Sequence, residues 1–103
     1  MSVIRLDKEF VPAVLDGRKV STVRRGWRGY QPGDCILRTD VCDIPVRVQR
    51  VRHCTLGDLT EGDAHRDGFS GLDELTKTLL AFYPGILPQD ALTVVEFSRE
   101  VQT

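Results

Sequence analysis

Lys19, Ser21 and Thr22 stand within four residues of one another, and Arg18, Arg24, Arg25 and Arg28 surround them in the stretch GRKVSTVRRGWRGY, residues 17–30. Cations and hydroxyls so closely spaced suit an anionic or planar, hydrogen-bonding ligand. Trp27 and Tyr30 add aromatic faces on which a planar base can stack. A strand built only for a core alternates apolar with polar residues, whereas this stretch gives most of its positions to cations and hydroxyls. The competing structural reading is a solvated, arginine-rich hairpin. In it Thr22 is simply a good strand residue, Lys19 complements a helix end, and Trp27 plugs one end of the fold.

The elements that must hold this stretch follow from the flanking pattern. Residues 2–6 read as a short strand. A helix is expected from about Lys8 to Asp16, with Phe10, Val11, Val14 and Leu15 on one face, Pro12 in the first turn and Gly17 at the stop. Residues 19–25 read as a strand, Gly26 and Gly29 bracket a loop, and Gln31-Pro32-Gly33-Asp34 turns the chain into a strand at Cys35 to Arg38. In the strand Ile44 to Cys54, Ile44, Val46 and Val48 share one face but Val51 falls on the other, which predicts a bulge. Pro45 then belongs at a strand start or an edge. Thr55 with Asp58 caps a short helix through about Ala64, and Asp67-Gly68 turns the chain. A longer helix spans Leu72 to Phe82, with a capping box expected from Ser70 and Asp73. Tyr83-Pro84-Gly85 ends it, and Ala91 to Ser98 closes the chain as a strand. Five or six short strands with two or three flanking helices give an α+β protein, a small and mostly antiparallel β-barrel.

With 103 residues, 41% hydrophobic and 28% charged, the chain reads as one globular domain, residues 1–103. It has no apolar run long enough for a membrane span, and MSVIRLDKEF has no apolar signal core, so a cytoplasmic location is expected. Cys35, Cys42 and Cys54 are odd in number and, like His53, lack the paired spacing of zinc ligands; free thiols follow, and no metal. The net charge of −1 is a poor footprint for coating nucleic acid. It conceals an asymmetry: residues 1–52 hold eleven Lys or Arg against six Asp or Glu, and residues 53–103 hold three against nine. A local positive surface survives if the halves segregate in space, and is cancelled if they interleave.

Several separated pieces match one family: Leu15-Asp16-Gly17-Arg18-Lys19, Thr22 with Arg24, Pro32-Gly33-Asp34, Leu59-Thr60-Glu61, Asp67-Gly68-Phe69, Tyr83-Pro84-Gly85 and Val94-Val95-Glu96-Phe97. In this order and spacing the chain resembles the ASCH domain, a PUA-like β-barrel, over nearly its whole length. Within that superfamily its length and its Tyr-Pro-Gly element look most like the small bacterial N4-acetylcytidine amidohydrolases, which release acetate and cytidine. The resemblance implies a general base at Lys19, a nucleophile at Thr22 and, at Asp67, the position of a glutamate proton donor. Aspartate is one methylene shorter. The resemblance also leaves room for a noncatalytic module holding single-stranded RNA or a modified pyrimidine nucleoside through Arg18, Ser21, Arg24, Arg25, Trp27, Arg28 and Tyr30. No cofactor is implied, and a monomer is expected.

Three physical conditions attach to the catalytic roles. A lysine of ordinary pKa, about 10.4, is neutral in roughly one molecule in 2,500 at pH 7, so Lys19 has to be depressed; Arg18 and Arg24 act in that direction. Asp67 can donate a proton near neutrality only if desolvation overcomes the arginines, and otherwise serves as an anchoring carboxylate. In a regular strand Lys19 and Thr22 point to opposite faces, so Ser21 competes with Thr22 unless Lys19 precedes the strand or a bulge intervenes.

Overall fold

The structure, a computed structural model, describes residues 2–99. Strand β1 (Ser2–Arg5) leads through a 3-10 turn (Lys8–Phe10) into α1 (Val11–Leu15), then β2 (Ser21–Arg25), β3 (Gly33–Arg38) and the long β4 (Asp43–Thr55). A second 3-10 turn (Leu56–Asp58), α2 (Glu61–Arg66), α3 (Leu72–Phe82) and β5 (Ala91–Arg99) complete it. The strands form one sheet in the order β1-β3-β4-β5-β2, in which β1 runs parallel to β3 and the other pairs are antiparallel. The sheet curls into a half-barrel, giving the expected α+β class with a seam left between its edge strands β1 and β2. Across that seam the Arg24 guanidinium donates to the Arg5 carbonyl.

The parity change in β4 is a bulge. Its register passes from Val48 opposite Phe97 to Arg50 opposite Glu96, leaving Gln49 as the extra residue. The insertion returns Val51 to the cluster that already holds Ile44, Val46 and Val48. Pro45 lies near the start of β4, paired to Ile36 of β3.

Apolar residues pack on both faces of the sheet. Ile4, Leu37, Val46, Val95 and Phe97 belong to one cluster; Val23, Leu75, Leu79, Leu92 and Val94 belong to the other, beneath α2 and α3. Strand β5 feeds both through its alternating side chains.

Two helix starts differ from expectation. The single helix from Thr55 is divided, because Thr55 with Asp58 and Thr60 with Asp63 each form a capping box; the second stops the first turn at an extended Leu59 and begins α2. Helix α3 begins after Gly71, not from a Ser70–Asp73 box. The Leu72 amide donates instead to the Glu61 carboxylate of α2 at 2.9 Å, while Ser70 Oγ donates to Glu74 at 2.9 Å. A partner distant in sequence has replaced the local cap.

The charged halves interleave. Lys19, Arg25, Arg50 and Arg52 pair with Asp67, Asp90, Glu96 and Asp63 respectively. Among the described residues no helix is long and apolar enough to cross a membrane, and Cys35, Cys42 and Cys54 are free thiols.

Candidate active site

Lys19 does not belong to β2; it sits two residues ahead of it, and this position decides its direction. Its amide donates to the Ala13 carbonyl of α1 at 3.0 Å, and the next amide, of Val20, donates to the Arg66 carbonyl at the end of α2 at 2.7 Å. The backbone is thereby fixed between two helices before the strand pleat begins. Lys19 and Thr22 consequently line the same pocket, and the opposition expected from strand parity does not arise. Asp67 is the C-terminal cap of α2. Gly68 after it has φ +89°, and a Cβ there would come within 3.2 Å of the Lys19 Cβ, so a glycine lets this turn close down on the lysine.

The pocket holds about 450 Å³. Its apolar lining comes from Phe10, Phe69, Leu75, Leu79, Phe82 and Tyr83, and its polar lining includes Arg5, Asp7, Lys8, Arg24, Asp40 and Thr78. Phe10 meets Phe69 edge-on at 6.1 Å and Phe82 at 6.4 Å. Lys19 and Asp67 are 3% and 4% exposed, and the Lys19 ammonium donates to the Asp67 carboxylate. Its Nζ also lies 5.1 Å from the centre of the Phe10 ring.

Burial dominates the charge states. It pushes the Lys19 pKa down, Asp67 pulling against it and Arg24 adding to the depression. It pushes the Asp67 pKa up, against the attraction of Lys19 and Arg24. Arg18 is not the cause expected for Lys19. It is exposed and occupied by Asp16 at 2.7 Å. Both shifts act against the charged forms: burial disfavours the ammonium of Lys19 and the carboxylate of Asp67, and their mutual attraction opposes it. Thr22 is buried, and its Oγ1 accepts from the Arg24 guanidinium at 2.6 Å.

The other residues singled out in residues 17–30 lie elsewhere. Ser21 is buried off the pocket, with no hydrogen-bond partner for its hydroxyl among the described residues. Arg25 reaches Asp90 at 3.5 Å. Trp27 is 75% exposed and stacks on His53 with ring centres 3.8 Å apart and planes within 7°. The Arg28 amide donates to Thr93 Oγ1 at 2.8 Å, which in turn donates to the Gly26 carbonyl at 2.8 Å, pinning the loop under the indole. Tyr30 packs against the core cluster of β3 and β4. The basic stretch therefore divides into a pocket group, Lys19, Thr22 and Arg24, and a surface group around Trp27.

No family model matches the sequence. Its structure does have counterparts. The ASCH domain from Lactobacillus crispatus superimposes with a TM-score of 0.74 at 16% identity, over 85% of this chain and 68% of that one. An ASCH protein from Zymomonas mobilis aligns with a TM-score of 0.68 at 16% identity, over 93% of this chain and 67% of the other. This chain has the ASCH-domain fold. The hypothetical protein PH0355 shares the same architecture, with a TM-score of 0.74 at 17% identity over 95% of this chain and 97% of its own. On this fold Lys19 comes from the link between α1 and β2, Thr22 and Arg24 from β2, Asp67 from the cap of α2, and Leu75, Leu79 and Phe82 from α3. In the sequence Phe10 and Phe82 are legible only as apolar positions of helical segments and Phe69 only as part of a matched motif, and no local signal marks the three as pocket-lining residues.

Proposed function

We propose that this pocket hydrolyses the amide of an acylated pyrimidine nucleoside, most specifically N4-acetylcytidine, to cytidine and acetate. The observation that carries the reading is that the buried Lys19–Asp67 pair and Thr22 line one pocket, with the lysine depressed and the aspartate raised. A surface ion pair needs neither burial nor convergent shifts; a base and an acid working near neutrality need both.

The reactive form is the one in which the shared proton lies on Asp67 and the Lys19 amine is neutral. Thr22 Oγ1 attacks the acyl carbon while Lys19 takes the hydroxyl proton. The tetrahedral intermediate then collapses as Asp67 protonates the departing exocyclic nitrogen, breaking the C–N bond and leaving acetyl-Thr22. For hydrolysis of this ester the roles exchange. The Asp67 carboxylate takes a proton from water, the hydroxide attacks, and the Lys19 ammonium protonates the departing Thr22 oxygen. Acetic acid leaves, and the starting proton distribution of the reactive form is restored. The apolar wall faces the pyrimidine and limits water around the pair, which strengthens its electrostatics. The shorter side chain of aspartate is matched here by the close approach of its turn to Lys19.

Incubated with N4-acetylcytidine, the protein is expected to release cytidine, and Thr22→Ala is expected to lower the rate by at least about a hundredfold while the protein stays folded. Chromatography of the nucleosides measures both. A folded parent that releases no cytidine, or a Thr22→Ala variant as fast as the parent, would reject the reading.

A second reading is favoured by the Trp27–His53 stack: a surface for single-stranded RNA, with Arg25 and Arg28 beside it for phosphate. Trp27 is held in place by the pinned loop yet leaves most of its surface to solvent, as a base-stacking residue requires. Binding to an RNA oligonucleotide is then expected to weaken as salt rises, and Trp27→Ala to cost tenfold or more in affinity, about 1–3 kcal/mol. Fluorescence anisotropy at two salt concentrations measures this, and affinity indifferent to both changes rules it out.

A further inference from the structure

Arg24 is bound in an unusual way for a pocket arginine. One terminal nitrogen donates to Thr22 Oγ1 at 2.6 Å and to the Val23 carbonyl at 2.9 Å, and the other donates to the Arg5 carbonyl across the seam of the half-barrel. Main-chain oxygens from β1 and β2 hold the fork, and no carboxylate forms an ion pair with it among the described residues. Its charge is thus anchored by neutral dipoles and remains available to the oxygen it faces. A guanidinium only donates, so the Thr22 oxygen must accept from it and turn its own proton elsewhere.

We propose that Arg24 is a catalytic residue of this site, holding Thr22 Oγ1 with its proton turned away from the guanidinium and stabilising the negative charge that develops on that oxygen. The proposal rests on the amidohydrolase reading and adds a role that a phosphate-binding arginine would not have. In the first half-reaction Arg24 stabilises the attacking oxygen as the proton leaves it. In the second it stabilises the same oxygen as the C–O bond of acetyl-Thr22 breaks. Between the two, Oγ1 is an ester oxygen with little charge and holds Arg24 weakly. The interaction is therefore strongest in the transition states, which is the condition for accelerating chemistry and not merely binding. The positive charge also disfavours the ammonium form of Lys19, while Asp67 favours it. The remaining charged groups of the pocket, Arg5, Asp7, Lys8 and Asp40, are more exposed than either member of the buried pair.

The test uses N4-acetylcytidine turnover by the parent, Arg24→Ala and Arg24→Lys. Removing the donor is expected to lower kcat by about 10²–10³-fold with little change in KM. Guanidinium ion at tens of millimolar is expected to restore part of the Arg24→Ala rate, while the same concentration of potassium chloride does not. The acid limb of the pH–rate profile is expected to move to higher pH in Arg24→Ala, because Lys19 loses a neighbour that disfavours its protonation. An arginine that only ties the strands together would move neither the rescue nor the limb. If Arg24→Ala does not fold, Arg24→Lys decides: a lysine has one terminal nitrogen where the arginine fork reaches Thr22 and the Arg5 carbonyl from two, and at least a tenfold loss of kcat is expected. Parental kcat in either variant, or a loss seen only in KM, overturns the role of Arg24 and leaves the amidohydrolase reading standing. An inactive parent overturns both.

Discussion

Lys19→Met is expected to abolish turnover and to make stability fall as pH rises. Methionine keeps the length and the apolar stem but removes the base, a loss of about 10²–10⁴-fold for the proton transfer and more if the pair acts as a unit. The stability effect comes from Asp67. It remains buried with its ion-pair partner gone, and breaking a buried pair from one side costs about 3–5 kcal/mol at neutral pH. The direction with pH follows from the shift. Burial already raises the folded pKa of Asp67 above its unfolded value, against the pull of Lys19. Without that pull it rises further. The folded state then binds the proton more tightly than the unfolded chain, so the variant is least impaired below about pH 4, where both states are protonated. It loses up to about 1.4 kcal/mol per unit as pH climbs from there to the folded pKa. Urea denaturation of parent and variant between pH 4 and pH 8 measures the divergence. A difference independent of pH would show that Asp67 is not the buried carboxyl responsible.

Replacing both partners has the opposite outcome for the fold. Lys19→Met combined with Asp67→Leu puts two apolar side chains of similar size against the aromatic wall of the pocket and leaves no charge to desolvate. Buried pairs exchanged in this way are commonly neutral or gain about 1–4 kcal/mol, so the double variant is expected to match or exceed the parent in urea while remaining inactive. Recovery of stability without activity would mean that the pair is retained for its proton chemistry. A double variant as unstable as Lys19→Met alone would make the pair a structural tie and remove the principal support for the hydrolase reading.

What the sequence allowed one to foresee depended on how local the determining contact was. The bulge in β4 was legible because Val48 and Val51 have the wrong separation for one face, and a period of two admits few remedies. Helix α3 was legible from its stripe, but its start was not, because the carboxylate that caps Leu72 belongs to Glu61. The division of the basic stretch was equally hidden. Lys19 and Trp27 are eight positions apart, and only the hydrogen bonds from residues 19 and 20 to two helices show that Lys19 turns into the pocket before the strand begins. The direction of the Lys19 shift could be anticipated from neighbouring cations, whereas its main cause, burial, required the tertiary structure. Asp63 illustrates the same limit. Burial alone would raise its pKa, yet hydrogen bonds from Thr60 and Arg66, with the charge of Arg52, hold it below the usual carboxylate range.

The position of β5 bears on how the chain is made. Its Leu92 and Val94 complete one cluster and its Val95 and Phe97 the other, yet its pairing with β2 joins residues about seventy positions apart. During synthesis from the N-terminus, neither cluster can close until this strand has left the ribosome, and the nascent chain carries two unfinished apolar faces until then. Closure of this domain therefore waits for residues 91–99, whatever order its other elements form in.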